Sequence, residues 1–145
     1  MILSDKLECV LFDLDGTLVD TAPDFIYVLN KLLVEQKRTP VHPDDITVRV
    51  SNGARALIEY AFEIDHKHQD FSDLLSQLLK LYDDKINSTE SMLYPGLDKL
   101  LDKLTVNEIR WGVVTNKPAA YAEKLLARLK ILANCAVLIC PDHVQ

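Results

Sequence analysis

The sequence predicts an α/β protein in which a parallel sheet carries helices on its faces and a block of helices interrupts the sheet. Two observations predict this class. Three short apolar runs, each followed by Gly, Pro or polar residues, have the length of buried parallel strands; they span residues 8–12, 109–114 and 136–140. Apolar residues at helical spacing fill the segments between these runs, and residues 20–90 show this spacing throughout.

The composition is that of an ordinary globular domain and excludes several classes of partner. Of the 145 residues, 48% are hydrophobic and 26% are charged, so disorder is not expected. Sixteen basic and twenty-two acidic residues give a net charge of −6, which argues against binding to nucleic acid or to an anionic membrane surface. No apolar run approaches the roughly 20 residues of a membrane span. Acidic residues among the first eight positions argue against a signal peptide, so we expect a cytoplasmic protein.

The three cysteines have no regular spacing, and Cys9 and Cys140 lie in apolar runs. Three reduced, buried thiols are the main expectation for such a pattern. A disulfide or a metal pair formed by Cys135 and Cys140 is the alternative, although their separation is not that of a metal-binding knuckle.

The first strand, residues 8–12, runs into the sequence Asp13-Leu14-Asp15-Gly16-Thr17. A helix is predicted next, because Thr21 is a typical N-cap and Pro23 and Asp24 suit its first turn. The apolar residues of this helix follow at helical spacing: Phe25, Ile26, Leu29, Leu32 and Leu33.

Residues 20–91 are predicted to form an inserted, all-helical domain. Residues 39–47 read as a loop that leads into a short helix, and Asn52-Gly53 is a turn signal. Two apolar stripes predict two longer helices: Leu57, Ile58, Ala61 and Phe62 in the first, and Phe71, Leu74, Leu75, Leu78, Leu79 and Tyr82 in the second.

The chain returns to the sheet after Pro95-Gly96. Leucines between Leu97 and Leu104 predict a helix, and the second strand follows at residues 109–114. Pro118 opens another helix, and residues 136–140 form the third strand.

This order of elements assigns residues 1–19 and 92–145 to the sheet domain. Two polar clusters, Asp13–Thr17 and Thr115–Lys117, directly follow the first and second strands. Ligands of such sheets bind at the carboxyl ends of the strands, so the two clusters are expected to form one site.

Asp13 and Asp15 are the candidate reactive pair. At about 3.3 Å per residue, their backbones would lie roughly 6–7 Å apart on one side of the strand. One carboxylate could attack an electrophile such as phosphorus while the other moves a proton, and together they offer oxygen ligands to Mg²⁺. Gly16 permits a tight turn and Thr17 adds a hydroxyl. An acidic turn that caps the next helix is the alternative and stays open at this point.

The sequence from Asp13 to Thr21, Asp-Leu-Asp-Gly-Thr-Leu-Val-Asp-Thr, resembles the first motif of the haloacid dehalogenase (HAD) superfamily. The strand that ends in Val114-Thr115-Asn116 resembles the second motif, and the resemblance extends over essentially the whole chain. It implies a Rossmann-like, three-layer parallel-sheet domain with Asp13 as nucleophile and Asp15 as general acid and base. It also implies Mg²⁺ held by the Asp13 carboxylate and the Asp15 carbonyl.

The resemblance implies that Thr115 and Asn116 bind the phosphoryl oxygens, and Gly16, Thr17 and Lys117 are further candidate phosphate contacts. Within the superfamily, an aspartate at the position of Asp15 is typical of phosphatases and phosphomutases. Expelling an alkoxide from a phosphoester needs an acid, whereas expelling a halide does not. A small phosphorylated metabolite is therefore the expected substrate.

The helical insertion resembles the small C1-type cap of this superfamily, which would cover the site and exclude water. The segment from Val50 to Arg55 resembles the substrate-specificity loop of phosphoglycolate phosphatases, so Asn52, Gly53 and Arg55 are candidate substrate contacts, with Arg55 meeting an anion. The alternative is a helix-ending turn beside a solvated charge.

Two later motifs of the superfamily, a lysine and an acidic pair, are not found before Gln145. Lys117 is at best a partial substitute for that lysine. We therefore expect an incomplete sheet domain, the amino-terminal part of the fold. The first strand would then be an exposed edge, at which the chain could self-associate.

Three functions are weighed on this basis. The first is a Mg²⁺-dependent phosphatase of the phosphoglycolate-phosphatase kind that forms an aspartyl-phosphate. The second is a phosphomutase of the β-phosphoglucomutase kind, which would pass the phosphoryl group to a sugar. The third is a non-catalytic, truncated binding or assembly piece.

Overall fold

The computed structural model describes residues 7–144. Residues 1–6, which carry part of the argument against a signal peptide and belong to the predicted 1–19 segment, lie outside the described residues, as does Gln145. The strands are β1 (Cys9–Phe12), β2 (Val19–Asp20), β3 (Met92–Leu93), β4 (Arg110–Val114) and β5 (Leu138–Ile139). The helices are α1 (Ala22–Glu35), α2 (Pro43–Thr47), α3 (Gly53–Phe62), α4 (Phe71–Ile86), α5 (Leu97–Val106) and α6 (Ala119–Arg128).

The main sheet is parallel and has the order β1–β4–β5. Val10 lies opposite Trp111, and Val113 lies opposite Leu138. The predicted α/β class with a parallel sheet and helices is therefore confirmed. The third strand is shorter than predicted, because β5 spans only Leu138–Ile139, although Ala136 and Val137 also make backbone hydrogen bonds to β4.

A hydrophobic core surrounds the central strand β4. Trp111 and Val113 are buried in that strand, and α5 and α6 contribute the leucines that pack around them. The buried leucines from these two helices are Leu101, Leu104, Leu125 and Leu126. The apolar stripes read from the sequence thus contain the faces that α5 and α6 turn towards the sheet, except that Leu100 of the α5 stripe is exposed.

The four helices α1–α4, which we call the helical region, share a second hydrophobic core. All the apolar residues predicted for α3 are buried, and in α4 the residues Phe71, Leu74, Leu78 and Tyr82 are buried. The aromatic rings of Phe25 and Tyr82 stack with their centroids 4.4 Å apart and their planes 9° apart. This stack lies on the side of the helical region that meets the sheet, since Tyr121 of α6 packs against Tyr82.

A short antiparallel pair of strands, which the sequence did not reveal, joins the helical region to the sheet. Val19 in β2 lies opposite Leu93 in β3, and Asp20 lies opposite Met92. The pair brings the two connections between the helical region and the sheet side by side.

The strand β1 is less buried than predicted. Among the described residues it pairs only with β4, and the side chain of Leu11 is 55% exposed. For the same reason Cys9 is exposed, so the expectation of three buried thiols was wrong for this residue. Cys135 is half-buried and Cys140 is buried, and all three are free thiols. In the described part of the chain, no helix is long and apolar enough to cross a membrane.

Candidate active site

The carboxyl ends of β1, β4 and β5 open into a cleft of about 540 Å³. Asp13 follows β1 and Thr115 and Asn116 follow β4, and all three line this cleft. The structure thus brings together polar residues from the two clusters that the sequence singled out. Ser51, from the turn between α2 and α3, lines the cleft on the side of the helical region.

Asp13 offers an accessible carboxylate to the cleft. Its residue is exposed, and its Oδ1 atom accepts a hydrogen bond of 2.8 Å from the backbone N–H of Leu14. This bond orients the carboxylate without covering it. An exposed and oriented carboxylate is suited to attack an electrophile that enters the cleft.

Asp15 does not share the orientation of Asp13. Only 4% of the residue is exposed, and it lines a separate cavity of about 40 Å³ that also contacts Phe25 and Tyr82. Its Oδ1 atom accepts a hydrogen bond of 2.7 Å from the hydroxyl of Thr21. The expectation that both carboxylates face one side was based on an extended strand, but the chain turns immediately after Asp13.

The turn after Asp13 is held by backbone hydrogen bonds and by one glycine. Gly16 has a φ of +78°, and its N–H donates to the carbonyl of Val19 over 2.9 Å. A Cβ atom at Gly16 would overlap the hydroxyl oxygen of Ser51, so the absence of a side chain lets the helical region approach this turn closely. Thr17 is exposed beside Gly16.

Lys117 lies at the centre of the buried part of the site. Its Nζ atom is 3.0 Å from Asp15 Oδ1 and donates a hydrogen bond of 2.9 Å to the hydroxyl of Tyr82. The same atom lies 4.9 Å from the ring centroid of Phe25. The Lys117 ammonium therefore has a buried carboxylate, a phenol and an aromatic ring as its partners.

Burial lowers the pKa of Lys117 from its ordinary value, while the neighbouring Asp15 carboxylate opposes that change. Burial also raises the pKa of Tyr82 well above its ordinary value, and the charges of Asp15 and Asp24 act in the same direction. Tyr82 thus stays a neutral phenol, and its oxygen accepts a hydrogen bond from the Lys117 Nζ atom.

Thr115 and Asn116 occupy the turn after β4. The Thr115 hydroxyl accepts a hydrogen bond of 3.1 Å from the backbone N–H of Lys117, which fixes this turn. Asn116 is exposed, and its amide lies against Gly53, where an added Cβ atom would be 3.3 Å from Asn116 Nδ2. Gly53, with a φ of +86°, also lines the small cavity beside Asp15.

The structure does not bring Asn52 and Arg55 to Asp13 or Asp15. Neither residue lines the cleft or the small cavity. The guanidinium of Arg55 lies over the ring of Phe71, 4.9 Å from its centroid, and Asn52 is exposed at the start of α3. Of the loop predicted to contact substrate, Ser51 and Gly53 are the residues that reach the site.

The residues present fit a Mg²⁺ ion with the Asp13 carboxylate as one of its ligands. Among residues 7–144, no group of three His, Cys, Asp or Glu side chains could hold a metal alone. Mg²⁺ is commonly held by one or two protein oxygens together with water and substrate phosphate, so a large cluster is not required. The exposed Asp13 carboxylate is an oxygen donor of this kind.

Sequence reasoning missed three residues of the site: Thr21, Ser51 and Tyr82. Thr21 was interpreted as a helix cap, but its side chain makes no cap hydrogen bond and donates to Asp15 instead. Tyr82 was counted as one member of an apolar stripe. A tyrosine at the end of such a stripe could have indicated a polar contact in the sequence, because a buried phenol needs a hydrogen-bond partner.

Comparison with known proteins identifies the family of the chain. The sequence matches the profile of the haloacid dehalogenase-like hydrolase family over residues 10–145. The chain therefore belongs to this family, and the resemblance drawn from the motifs at Asp13 and Thr115 is confirmed.

Two curated relatives are named as phosphatases. The N-acetylmuramic acid 6-phosphate phosphatase of Pseudomonas putida is 40% identical over 140 residues, which cover 97% of this chain and 62% of the relative. The phosphoglycolate phosphatase of Xanthomonas campestris is 37% identical over 134 residues, covering 92% and 59%. The chain thus spans about six tenths of the length of these relatives.

Solved structures show the same fold. A haloacid dehalogenase-like hydrolase from Bacteroides fragilis superimposes with a TM-score of 0.83 at 19% identity, over 97% of this chain and 66% of that one. At this identity the likeness concerns the fold alone.

Proposed function

We propose that this chain carries the nucleophile half of a Mg²⁺-dependent phosphatase that acts on small phosphomonoesters. The observation that carries the proposal is the exposed Asp13 carboxylate at the end of β1, beside Thr115 and Asn116 in an open cleft. We further propose that the helical region serves as a cap over this cleft, because Ser51 and Gly53 reach the turns at Gly16 and Asn116. Residues 20–91 would then be the cap domain, and residues 1–19 and 92–145 the sheet domain.

The reaction would begin with attack of an Asp13 oxygen on phosphorus. The bond between that oxygen and phosphorus forms while the bond to the leaving oxygen breaks. For this step Asp15 must first take up a proton and leave its ion pair with Lys117, and it then gives that proton to the leaving oxygen. Asp15 then takes a proton from the water that attacks the aspartyl-phosphate, which frees Asp13 and releases phosphate. Bound Mg²⁺ would neutralise part of the phosphoryl charge.

The polar groups around Asp13 would bind the phosphoryl oxygens. Asn116 lines the cleft, Gly16 and the exposed Thr17 lie in the turn that follows Asp13, and Thr115 holds the turn after β4. Lys117 is not among the proposed phosphate contacts, because its ammonium already binds Asp15 and Tyr82. Arg55 stays a predicted substrate contact that would require movement away from Phe71.

The names of the relatives suggest which substrates to test. One group is named for a sugar phosphate, N-acetylmuramic acid 6-phosphate, and the other for phosphoglycolate. We propose a phosphorylated sugar or a small phosphorylated acid as the substrate class of this chain.

Release of inorganic phosphate from both compounds, with and without Mg²⁺, tests the proposal. We expect Mg²⁺-dependent turnover that falls by at least about a thousandfold in Asp13→Asn, which keeps the shape of the side chain but removes the nucleophile. Asp102→Asn, an exposed position in α5, is the matched control and should retain full activity. Equal turnover in Asp13→Asn and the control would contradict the assignment of Asp13.

A further inference from the structure

The Asp15 carboxyl group must change position before it can transfer a proton to a group bound in the cleft. Asp15 lines the small buried cavity, whereas Asp13 lines the open cleft. In its buried position the carboxylate is held by Lys117 at 3.0 Å and by the hydroxyl of Thr21 at 2.7 Å. Proton transfer to a leaving group on phosphorus therefore requires Asp15 to leave Lys117.

When Asp15 leaves, the Lys117 ammonium stays behind in a buried environment. Lys117 is 6% exposed and its aliphatic stem is enclosed, so solvent does not replace the lost carboxylate. A buried cation without a hydrogen-bond acceptor is costly, and this cost opposes the release of Asp15. The hydroxyl of Tyr82, at 2.9 Å from Lys117 Nζ, is the fixed acceptor that remains.

We propose that Tyr82 is a positioning residue that controls the release of Asp15 through Lys117. Its hydroxyl accepts a hydrogen bond from Lys117 both when Asp15 is held by Lys117 and when Asp15 has left. This hydrogen bond contributes more stability in the second state, because Tyr82 is then the remaining fixed acceptor. Only such a difference between two states can shift their populations. The inference rests on the proposed phosphatase function, and it adds a residue of the helical region to the machinery of the sheet domain.

The position of Tyr82 makes this control depend on how α4 lies against α6. Tyr82 is fixed by the stack with Phe25 and by the ring of Tyr121, which belongs to α6. On the outer side of the same helix contact, Lys124 of α6 donates to the carboxylate of Asp83 in α4 over 2.8 Å. Docking of α4 on α6 therefore sets where the Tyr82 oxygen stands relative to Lys117.

The test is the steady-state kinetics of Tyr82→Phe in the full chain. This change removes the phenolic oxygen and keeps the ring that stacks on Phe25. We expect kcat to fall about tenfold because Asp15 is released less often, while KM stays unchanged because the Asp13 cleft is untouched. Tyr27→Phe removes an exposed phenol of α1 that lines neither the cleft nor the small cavity, and it should keep the wild-type kcat and KM.

A double variant separates positioning from a general effect on packing. Lys117→Met removes the buried cation, so Tyr82→Phe should cause no further loss of kcat in that background. Additive losses in the double variant, or an unchanged kcat in Tyr82→Phe, would overturn the inference and leave the phosphatase function standing. Lack of turnover in the wild-type chain would instead overturn the proposed function, and this inference with it. A urea unfolding curve for each variant shows that the compared proteins are folded.

Discussion

Asp24 is a buried carboxylate that ties the two ends of the helical region together. It is fully buried in the first turn of α1 and accepts hydrogen bonds from Thr89, from the N–H of Glu90 at 2.9 Å and from the hydroxyl of Ser91 at 2.7 Å. These partners lie in the segment that connects α4 to β3. Asp24 thus links the chain as it enters the helical region to the chain as it leaves.

We predict that Asp24→Ala lowers the free energy of unfolding by about 3 kcal/mol, because several buried donors lose their acceptor. Urea unfolding of the variant and the wild type measures the difference. Asp102→Ala, which removes an exposed carboxylate of α5, should change stability by less than about 0.5 kcal/mol. A loss at Asp24 no greater than that at Asp102 would show that the buried contacts are not stabilising.

The raised pKa of Tyr82 predicts a loss of stability at high pH. Above the ordinary tyrosine pKa of about 10, the phenol ionises in the unfolded chain but stays protonated in the folded one. The folded state then binds more protons, so the free energy of unfolding falls as pH rises. Urea unfolding between about pH 9 and pH 11 should show a steeper fall for the wild type than for Tyr82→Phe. Equal slopes would contradict the burial of this phenol.

At the scale of single residues, the sequence could identify Asp13 and Thr115 because each directly follows an apolar strand. It could not place Asp15 beside Lys117 and Tyr82. That contact depends on a turn after Asp13, in which the intervening Leu14 is fully buried, and on the docking of a distant helix. Spacing along an extended strand carries no information about either.

The close approach of β4 and β5 depends on Gly112. A Cβ atom at this position would lie 2.6 Å from the carbonyl oxygen of Val137. We predict that Gly112→Ala lowers the free energy of unfolding by about 2 kcal/mol through overpacking. The comparison variant is Gly96→Ala, where space is open and only the φ of +87° is unfavourable, at a cost of about 1 kcal/mol. Thermal or urea unfolding should rank the two variants in this order, and the reverse order would contradict the packing argument.

At the scale of elements, the long helices were predictable and the shortest strands were not. The helices α1, α3 and α4 each bury an apolar stripe that is visible in the sequence. The strands β2 and β3 have two residues each and pair across the whole helical region, so no local pattern marks them. The length of β5 also depended on pairing with β4 rather than on its apolar composition.

At the scale of the whole molecule, the chain has two hydrophobic cores, one in the helical region and one around the sheet. The candidate site lies where they meet, with Asp13 and Thr115 on the sheet side and Ser51 and Tyr82 on the helical side. The sequence predicted the two parts from the change in apolar periodicity near residue 20. Their mutual arrangement came only from the structure, because it is set by side-chain contacts between residues far apart in the chain.

Asp13 is the proposed nucleophile of this site. The most direct test of this assignment is to mix the chain with Mg²⁺ and each candidate phosphoester, to quench the reaction in acid during turnover and to locate the phosphoryl group by peptide mass spectrometry. We expect a phosphoryl group on Asp13 in the wild type and none in Asp13→Asn. Turnover with a phosphoryl group on another residue, or with none on Asp13, would contradict it.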